Sequence, residues 1–521
     1  MRPKVHRRLA LAFLGLAAVG AARADEAPRA RIDSGPVVGV ASGPAAVFRA
    51  IPYAAPPVGD LRWRPPAPAA PWSADRQAIT AGPACPQKVS PIAPNGGGYV
   101  GPVSEDCLTL DVTAPKGGLG RPGKTPVMVW IFGGGNTAGA SNLPSYDAVN
   151  FARDGVIVVA MNYRLGALGF FAHPALTAEA GPRQPLGSYG LMDQIAALQW
   201  VKRNIAAFGG DPANVTVFGE SAGGADTLQL LATPSARGLF ARAIVQSGGG
   251  WSAPRTLAQA EARGAALATT LGVTGATADA GALRALPVQA ILDAQTTGLG
   301  EYGPIVDGRL IRESPAQAFA RGDAEAVPLI IGSNSNEASL LGPADAAAAA
   351  VAARARPALR AVYAPDAASE AALGRAMFND AVMGGPARWI AGKASQRAPA
   401  WLYYFSYVPE RQRGVRPGTN HASEIPFVFD SLDAVPGRTP LITPSERAEA
   451  ALAHACWVDF ARSGRPACGG RQPWPAYTPA ADALLEFGDP AGVRTHFRKA
   501  QLDLQEALAA DRLSGGPPAA P

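Results

Sequence analysis

The sequence predicts an α/β fold built on a large, mostly parallel central sheet with helices on both faces. Short β-type apolar runs recur at Pro126–Ile131, Val156–Ala160, Asn214–Phe218, Ala243–Gln246, Val327–Ile331 and Trp401–Phe405. Continuous apolar runs of this length suit strands covered on both faces. Stretches of helical character, Leu191–Ala206 among them, lie between the runs from residue 126 to residue 405, and such alternation builds a parallel sheet. The run at 214–218 ends in Gly219-Glu220-Ser221-Ala222-Gly223-Gly224 and passes into the helix-compatible Ala225–Leu231, which places a serine on a tight strand-to-helix turn.

The first 24 residues read as a secretory signal peptide. Arg2, Lys4, Arg7 and Arg8 precede the apolar run Leu9–Val19, and Ala22-Arg23-Ala24 supplies a cleavage site before Asp25. The run is too short to span a bilayer, and no other stretch approaches the ~20 apolar residues of a transmembrane helix, so no stable membrane anchor is expected. Cleavage implies a secreted or periplasmic protein. Of the 47 Lys and Arg residues five leave with the signal, so 42 face 41 Asp and Glu, and no basic tract remains that would suit nucleic acid. The four cysteines, Cys85, Cys107, Cys456 and Cys468, allow three pairings in an exported chain, and the sequence-local pairs 85–107 and 456–468 are the simplest. A zinc site would need a C-x-x-C or paired histidines nearby, and neither is there.

Residues 25–50 alternate turn residues with the short runs 37–40 and 46–48, which predicts an antiparallel hairpin at the start of the mature chain. The proline-rich 51–71 segment and the 86–106 loop read as irregular surface wraps, and Leu108–Val112 as a strand. Two regions interrupt the later alternation, roughly 252–325 and the Ala-rich 343–399; both are helix formers, as the run Ala346–Ala355 shows. They read as helices packed on the outside of the sheet, with a helical cap over the site as the alternative. No linker divides residues 25–521, so a single domain is expected, and 59 Gly with 49 Pro are too few for a fibrous or disordered chain.

Ser221 at a G-x-S-x-G turn can act as a nucleophile only with a base to take its proton and a carboxylate to orient that base. The histidines are His6, His173, His421, His454 and His496. His6 leaves with the signal, His454 falls in a helical pattern, and His173 and His496 have no strand end beside them. His421 follows the 401–405 run in a loop, where a base can reach over the carboxyl edge of a sheet. Glu337 is the one carboxylate in Gly332–Ser339, directly after the 327–331 run. Gly133-Gly134-Gly135 follows the 126–131 run and can turn backbone amides toward a developing oxyanion, with the amide of Ala222 as a further donor. A phosphate loop would need G-K-[ST] after the glycines, which is absent, so no cofactor or metal is implied.

Taken together, Ser104–Leu108, Trp130–Gly135, Gly219–Gly224 and His421–Phe429 resemble the type-B carboxylesterase/lipase family, from about Ile32 to Phe497. The order Ser221, Glu337, His421 is also that of α/β-hydrolases. The resemblance implies an α/β-hydrolase fold and hydrolysis of small carboxylic esters through an acyl-enzyme, with Gly134, Gly135 and Ala222 as oxyanion donors. It implies further that Glu220 and Ser247 are polar groups beside the nucleophile and His421, that Arg62–Glu105 and Arg164–Asp193 are structural ion pairs, and that Cys85 pairs with Cys107. Residues 86–106 hold no Trp, only Tyr99, which argues against a cholinesterase. Asn136 stands where the family carries an aromatic, implying a more polar pocket wall. An interfacial lipase and a non-catalytic adhesion member are the alternatives, the latter disfavoured because all three catalytic residue types are present. Natural substrate and oligomeric state are not encoded in these patterns.

Overall fold

The computed structural model describes residues 27–88, 101–121, 123–252, 255–275, 278–296, 298, 300–342 and 356–513. Residues 1–24, with the expected signal peptide, Tyr99 and the Ala346–Ala355 run lie outside them.

Fourteen strands form among the described residues: β1 (Arg29–Ile32), β2 (Gly35–Val38), β3 (Val40–Ser42), β4 (Ala45–Pro52), β5 (Arg76–Gln77), β6 (Thr109–Pro115), β7 (Thr125–Ile131), β8 (Ile157–Met161), β9 (Gly210–Glu220), β10 (Arg242–Gln246), β11 (Leu329–Asn334), β12 (Ala400–Phe405), β13 (Ala483–Phe487) and β14 (Gly492–Thr495). Eleven of them make one sheet in the order β14-β13-β12-β11-β10-β9-β7-β8-β6-β4-β3. The pairings from β8 through β7, β9, β10, β11 and β12 to β13 are parallel, and the flanking ones are antiparallel. Every residue of β8 and β11 is buried, the two-sided burial that unbroken apolar runs demand.

The single hairpin expected over residues 25–50 is two hairpins. β1 and β2 pair in a small separate sheet with β5, while β3 and β4 pair at the edge of the large one. Gly39 sits between β2 and β3, and a Cβ there would stand 2.5 Å from the Val47 carbonyl. β11 also runs on through Gly332, Ser333 and Asn334, which the sequence places in a loop, because these residues pair with Tyr403, Tyr404 and Phe405 of β12.

Beneath the site, Trp130 of β7 and Phe218 of β9 pack against each other at 4.7 Å between ring centroids, and Phe218 stacks on Phe429 at 5.6 Å. This aromatic contact anchors the segment that follows His421 onto the central strands. The helices Leu257–Thr270, Ala280–Arg284 and Val288–Ala294 border a second apolar cluster around Trp63, Leu168, Phe171 and Tyr189, whereas Gly385–Ala394 packs on β11 and β12. The disulfides are Cys85–Cys107 and Cys456–Cys468.

Arg164, just after β8, lies against Asp193 on the helix Tyr189–Asn204, with Nε to Oδ2 at 2.8 Å and a second nitrogen to Oδ1 at 2.7 Å. Their side chains are 3 % and 0 % exposed. Arg62 grips Glu105 in the same two-bonded way. Removing one partner of a buried pair strands the other charge in the interior. Asp193→Ala is therefore expected to lose roughly 3–5 kcal/mol of unfolding free energy in urea denaturation.

Candidate active site

The serine turn is set by close approaches that only glycine allows. β9 ends at Glu220, Ser221 takes φ 57° and ψ −123°, and the helix Ala222–Ala232 begins at the next residue. A Cβ on Gly223 would lie 2.0 Å from the Ile131 carbonyl oxygen, and one on Gly219 2.5 Å from the Gly223 carbonyl carbon. The Ser221 amide donates to the Gln246 carbonyl at 2.9 Å, tying the turn to the end of β10. A left-handed φ is costly for a residue with a Cβ, so the neighbours hold it there. The serine thus stands at the carboxyl edge of the central strands, next to the glycine loop after β7.

Glu337 and His421 come together from two loops. Glu337 is fully buried three residues beyond β11. Its Oε1 accepts from the Ser247 hydroxyl at 2.6 Å and from the Asn334 amide at 2.6 Å, and its Oε2 lies 2.5 Å from Nδ1 of His421. The two loops are laced together. Asn336 donates from its side chain to that of Asn420 at 2.7 Å, the Thr419 amide donates to the Ser335 hydroxyl at 2.7 Å, and the His421 amide to the Ser339 hydroxyl at 2.9 Å. These bonds orient the ring before any substrate arrives.

The other ring nitrogen, Nε2, lies 3.1 Å from Oε1 of Glu220, the residue before Ser221. Glu220 is 2 % exposed and His421 6 %. Burial disfavours the charged ring, but Glu220, Glu337 and Glu424 hold His421 up to about 10. Burial likewise pushes Glu220 well above the carboxylate range, against the pull of His421 and with help from Glu424 and Glu337. The imidazole and Glu220 therefore titrate as one coupled unit.

Glu424 is a member of this group that sequence reading missed. It is fully buried three residues beyond His421, and its carboxylate accepts from the side-chain amides of Gln246 and Asn334. Gln246 in turn accepts from Nε1 of Trp457 at 3.1 Å. The only local signal was a carboxylate close behind the candidate base; its burial follows from long-range packing.

Gly134 and Gly135 take φ 94° and 64° in the loop that abuts the serine, and a Cβ on Gly133 would lie 2.8 Å from that of Ser221. Ala222 opens its helix, so its amide is among those without an intrahelical carbonyl. Asn136 corrects one expectation. It is 3 % exposed, and its amide nitrogen donates to Oδ1 of buried Asp226 at 3.3 Å, so the side chain turns into the interior behind the loop. His454 is buried on the helix Pro444–Ser463, 2.8 Å from the Val428 carbonyl, and His173 caps the helix Pro174–Ala180; neither is near the serine turn in these contacts. Among the described residues no group of three or more His, Cys, Asp or Glu could hold a metal ion.

Replacing Glu220 by Gln removes a charge that holds the His421 proton. The acid limb of kcat/KM should then move to lower pH, because the free ring gives up its proton more readily. Its plateau should fall about 10-fold, the equivalent of losing one buried charge contact. A pH–rate profile with an unmoved limb would make Glu220 scaffold only.

Residues 26–505 match the Carboxylesterase family. The chain is 37 % identical over 505 residues to the fumonisin B1 esterase of Sphingopyxis macrogoltabida, covering 92 % of this chain and 90 % of that one. It is 36 % identical over 461 residues to the para-nitrobenzyl esterase of Bacillus subtilis, covering 82 % and 88 %. A solved PNB esterase superposes with a TM-score of 0.77 at 32 % identity, over 91 % of this chain and 99 % of that one. With the central sheet and helices described above, these similarities establish an α/β-hydrolase fold and a carboxylic ester hydrolase. The chain belongs to the carboxylesterase family.

Proposed function

We propose that this chain is an exported serine carboxylesterase acting on small carboxylic esters, with Ser221 as nucleophile, His421 as base and Glu337 as its orienting acid. The observation that carries the reading is the grip on His421. Glu337 holds Nδ1 at 2.5 Å, and Nε2 is turned to the serine turn, 3.1 Å from the residue that precedes Ser221. In the proposed cycle Nε2 takes the Ser221 proton as Oγ adds to the ester carbonyl. The amides of Gly134, Gly135 and Ala222 receive the negative oxygen. The imidazolium then gives its proton to the departing alkoxide, leaving an acyl-serine and a free alcohol. Water adds by the same route, its proton passing through His421 back to Ser221 as the carboxylic acid departs. Glu337 stabilises the imidazolium, and Ser247 with the Asn334 amide holds that carboxylate in place.

Two observations support export: the charged, apolar and A-x-A pattern of residues 1–24, and two disulfides, which are bonds of oxidising compartments. Among the described residues no helix is long and apolar enough to cross a membrane.

p-Nitrophenyl acetate serves as the test substrate. Ser221→Ala is expected to lower kcat by about 10⁴-fold or more while leaving the melting temperature close to wild type. Full activity in that variant would refute the assignment.

A further inference from the structure

Behind the glycine loop lies a polar cluster with no part in the proposed cycle. Asn136 Nδ2 donates to Asp226 Oδ1 at 3.3 Å, and Gln194 Nε2 donates to Asp226 Oδ2 at 2.6 Å. Asp226 and Gln194 are fully buried and Asn136 nearly so. The amide oxygens Asn136 Oδ1 and Gln194 Oε1 are buried without a hydrogen-bond partner. Burial pushes the Asp226 carboxyl up to about 7, and its hydrogen-bond partners are two neutral amides rather than a cation. Unsatisfied buried polar atoms cost stability, so a cluster in which all three side chains were apolar would serve stability better.

Its placement gives the cluster a purpose. The proposed oxyanion hole is assembled from two separate pieces of chain, the 133–135 glycines and the start of the 222–232 helix. Asn136 directly follows the glycines, while Asp226 lies four residues beyond Ala222, one turn along that helix. The loop takes a left-handed backbone at Gly134, Gly135, Asn136 and Gly139, with φ 94°, 64°, 57° and 123°. Other bonds secure it elsewhere. The Gln87 side chain holds both the amide and the carbonyl of Gly139 at 2.8 Å, and the Gly166 amide donates to the Asn136 carbonyl at 2.7 Å. Neither reaches the helix that carries Ala222. The Asn136–Asp226 bond does, and Gln194 fixes Asp226 from the 189–204 helix on its other side.

We propose that Asn136, Asp226 and Gln194 form a positioning strap that sets the spacing between the two halves of the oxyanion hole. This rests on the reading of Gly134, Gly135 and Ala222 as the donors. The strap touches no substrate and acts through the loop. Oxyanion donors work only at the position the charged oxygen will occupy, so a loop released from the helix stabilises the transition state less while binding the ground-state ester about equally.

The test uses purified enzyme and p-nitrophenyl acetate. Asn136→Gly keeps the backbone conformation and removes the amide; Asp226→Leu replaces the carboxyl by an apolar side chain. Each is expected to lower kcat about 10- to 100-fold with KM changed less than threefold, the signature of a misplaced rather than missing group. Phosphonylation of Ser221 by a p-nitrophenyl phosphonate, which also places an oxygen in the hole, should slow by a similar factor. Asp226→Leu leaves both amides buried without their acceptor and is expected to melt lower than wild type, so kcat is taken per active site titrated with the phosphonate, which separates positioning from folding. Asp226→Asn should retain kcat, since its oxygen can accept from Asn136 and its amide can donate to the Gln194 oxygen. Wild-type kcat in both Asn136→Gly and Asp226→Leu, or an Asp226→Asn variant as slow as Asp226→Leu, overturns the strap. Ser221→Ala runs in parallel. If it abolishes turnover while the strap variants stay fast, only the strap fails; if it stays active, the underlying reading of the site fails.

Discussion

The Ile131 carbonyl stands 2.0 Å from where a Cβ on Gly223 would be, and much of the site depends on that close approach. It lets the end of β7 and the first turn of the 222–232 helix meet without a side chain between them. β7 and β9 are adjacent and parallel, with Ile131 opposite Gly219, so both strands end at the same level. The glycine loop and the serine turn therefore emerge side by side. Glycine is required by contact here, and the backbone strain at Ser221 is held by the sheet on either side.

Around that turn, two buried carboxylates flank one imidazole and a third lies behind them. Glu220, Glu337 and Glu424 belong to three different segments, and all lie at or below 2 % exposure. Such a concentration of acid would be unstable unless each group were paired. Hydroxyl and amide donors satisfy Glu337, two side-chain amides satisfy Glu424, and Glu220 leans on the ring of His421. Acidic groups are thereby concentrated around the His421 ring, and the low dielectric of the interior strengthens their effect on it. The same physics recurs behind the glycine loop, where Asp226 has only amides for partners and is pushed toward neutrality.

Much of this was legible along the chain. The runs that became β7 to β12 announced themselves because strands covered on both faces must be apolar throughout. The serine turn was legible because its glycines are adjacent in sequence. Glu337 and His421 could be singled out by position, each following a strand run at the edge where loops converge. The hairpin expected over residues 25–50 was misjudged because Gly39 hands the chain from one sheet to another, a choice made by contact with Val47. The expectation of a more polar pocket wall at Asn136 is corrected because the side chain is turned to Asp226, ninety positions away.

The amino-acid order by itself determined the fold class, the family and the residue types able to do the chemistry, since strand periodicity, glycine turns and catalytic motifs are local patterns. The tertiary structure alone decided which nitrogen of His421 faces which carboxylate, that Glu424 joins the cluster, and that Asn136 reaches the helix beyond Ser221. Those are pairings between segments 84 to 90 residues apart or more, and nothing in a local stretch of chain encodes the geometry in which it meets a distant one.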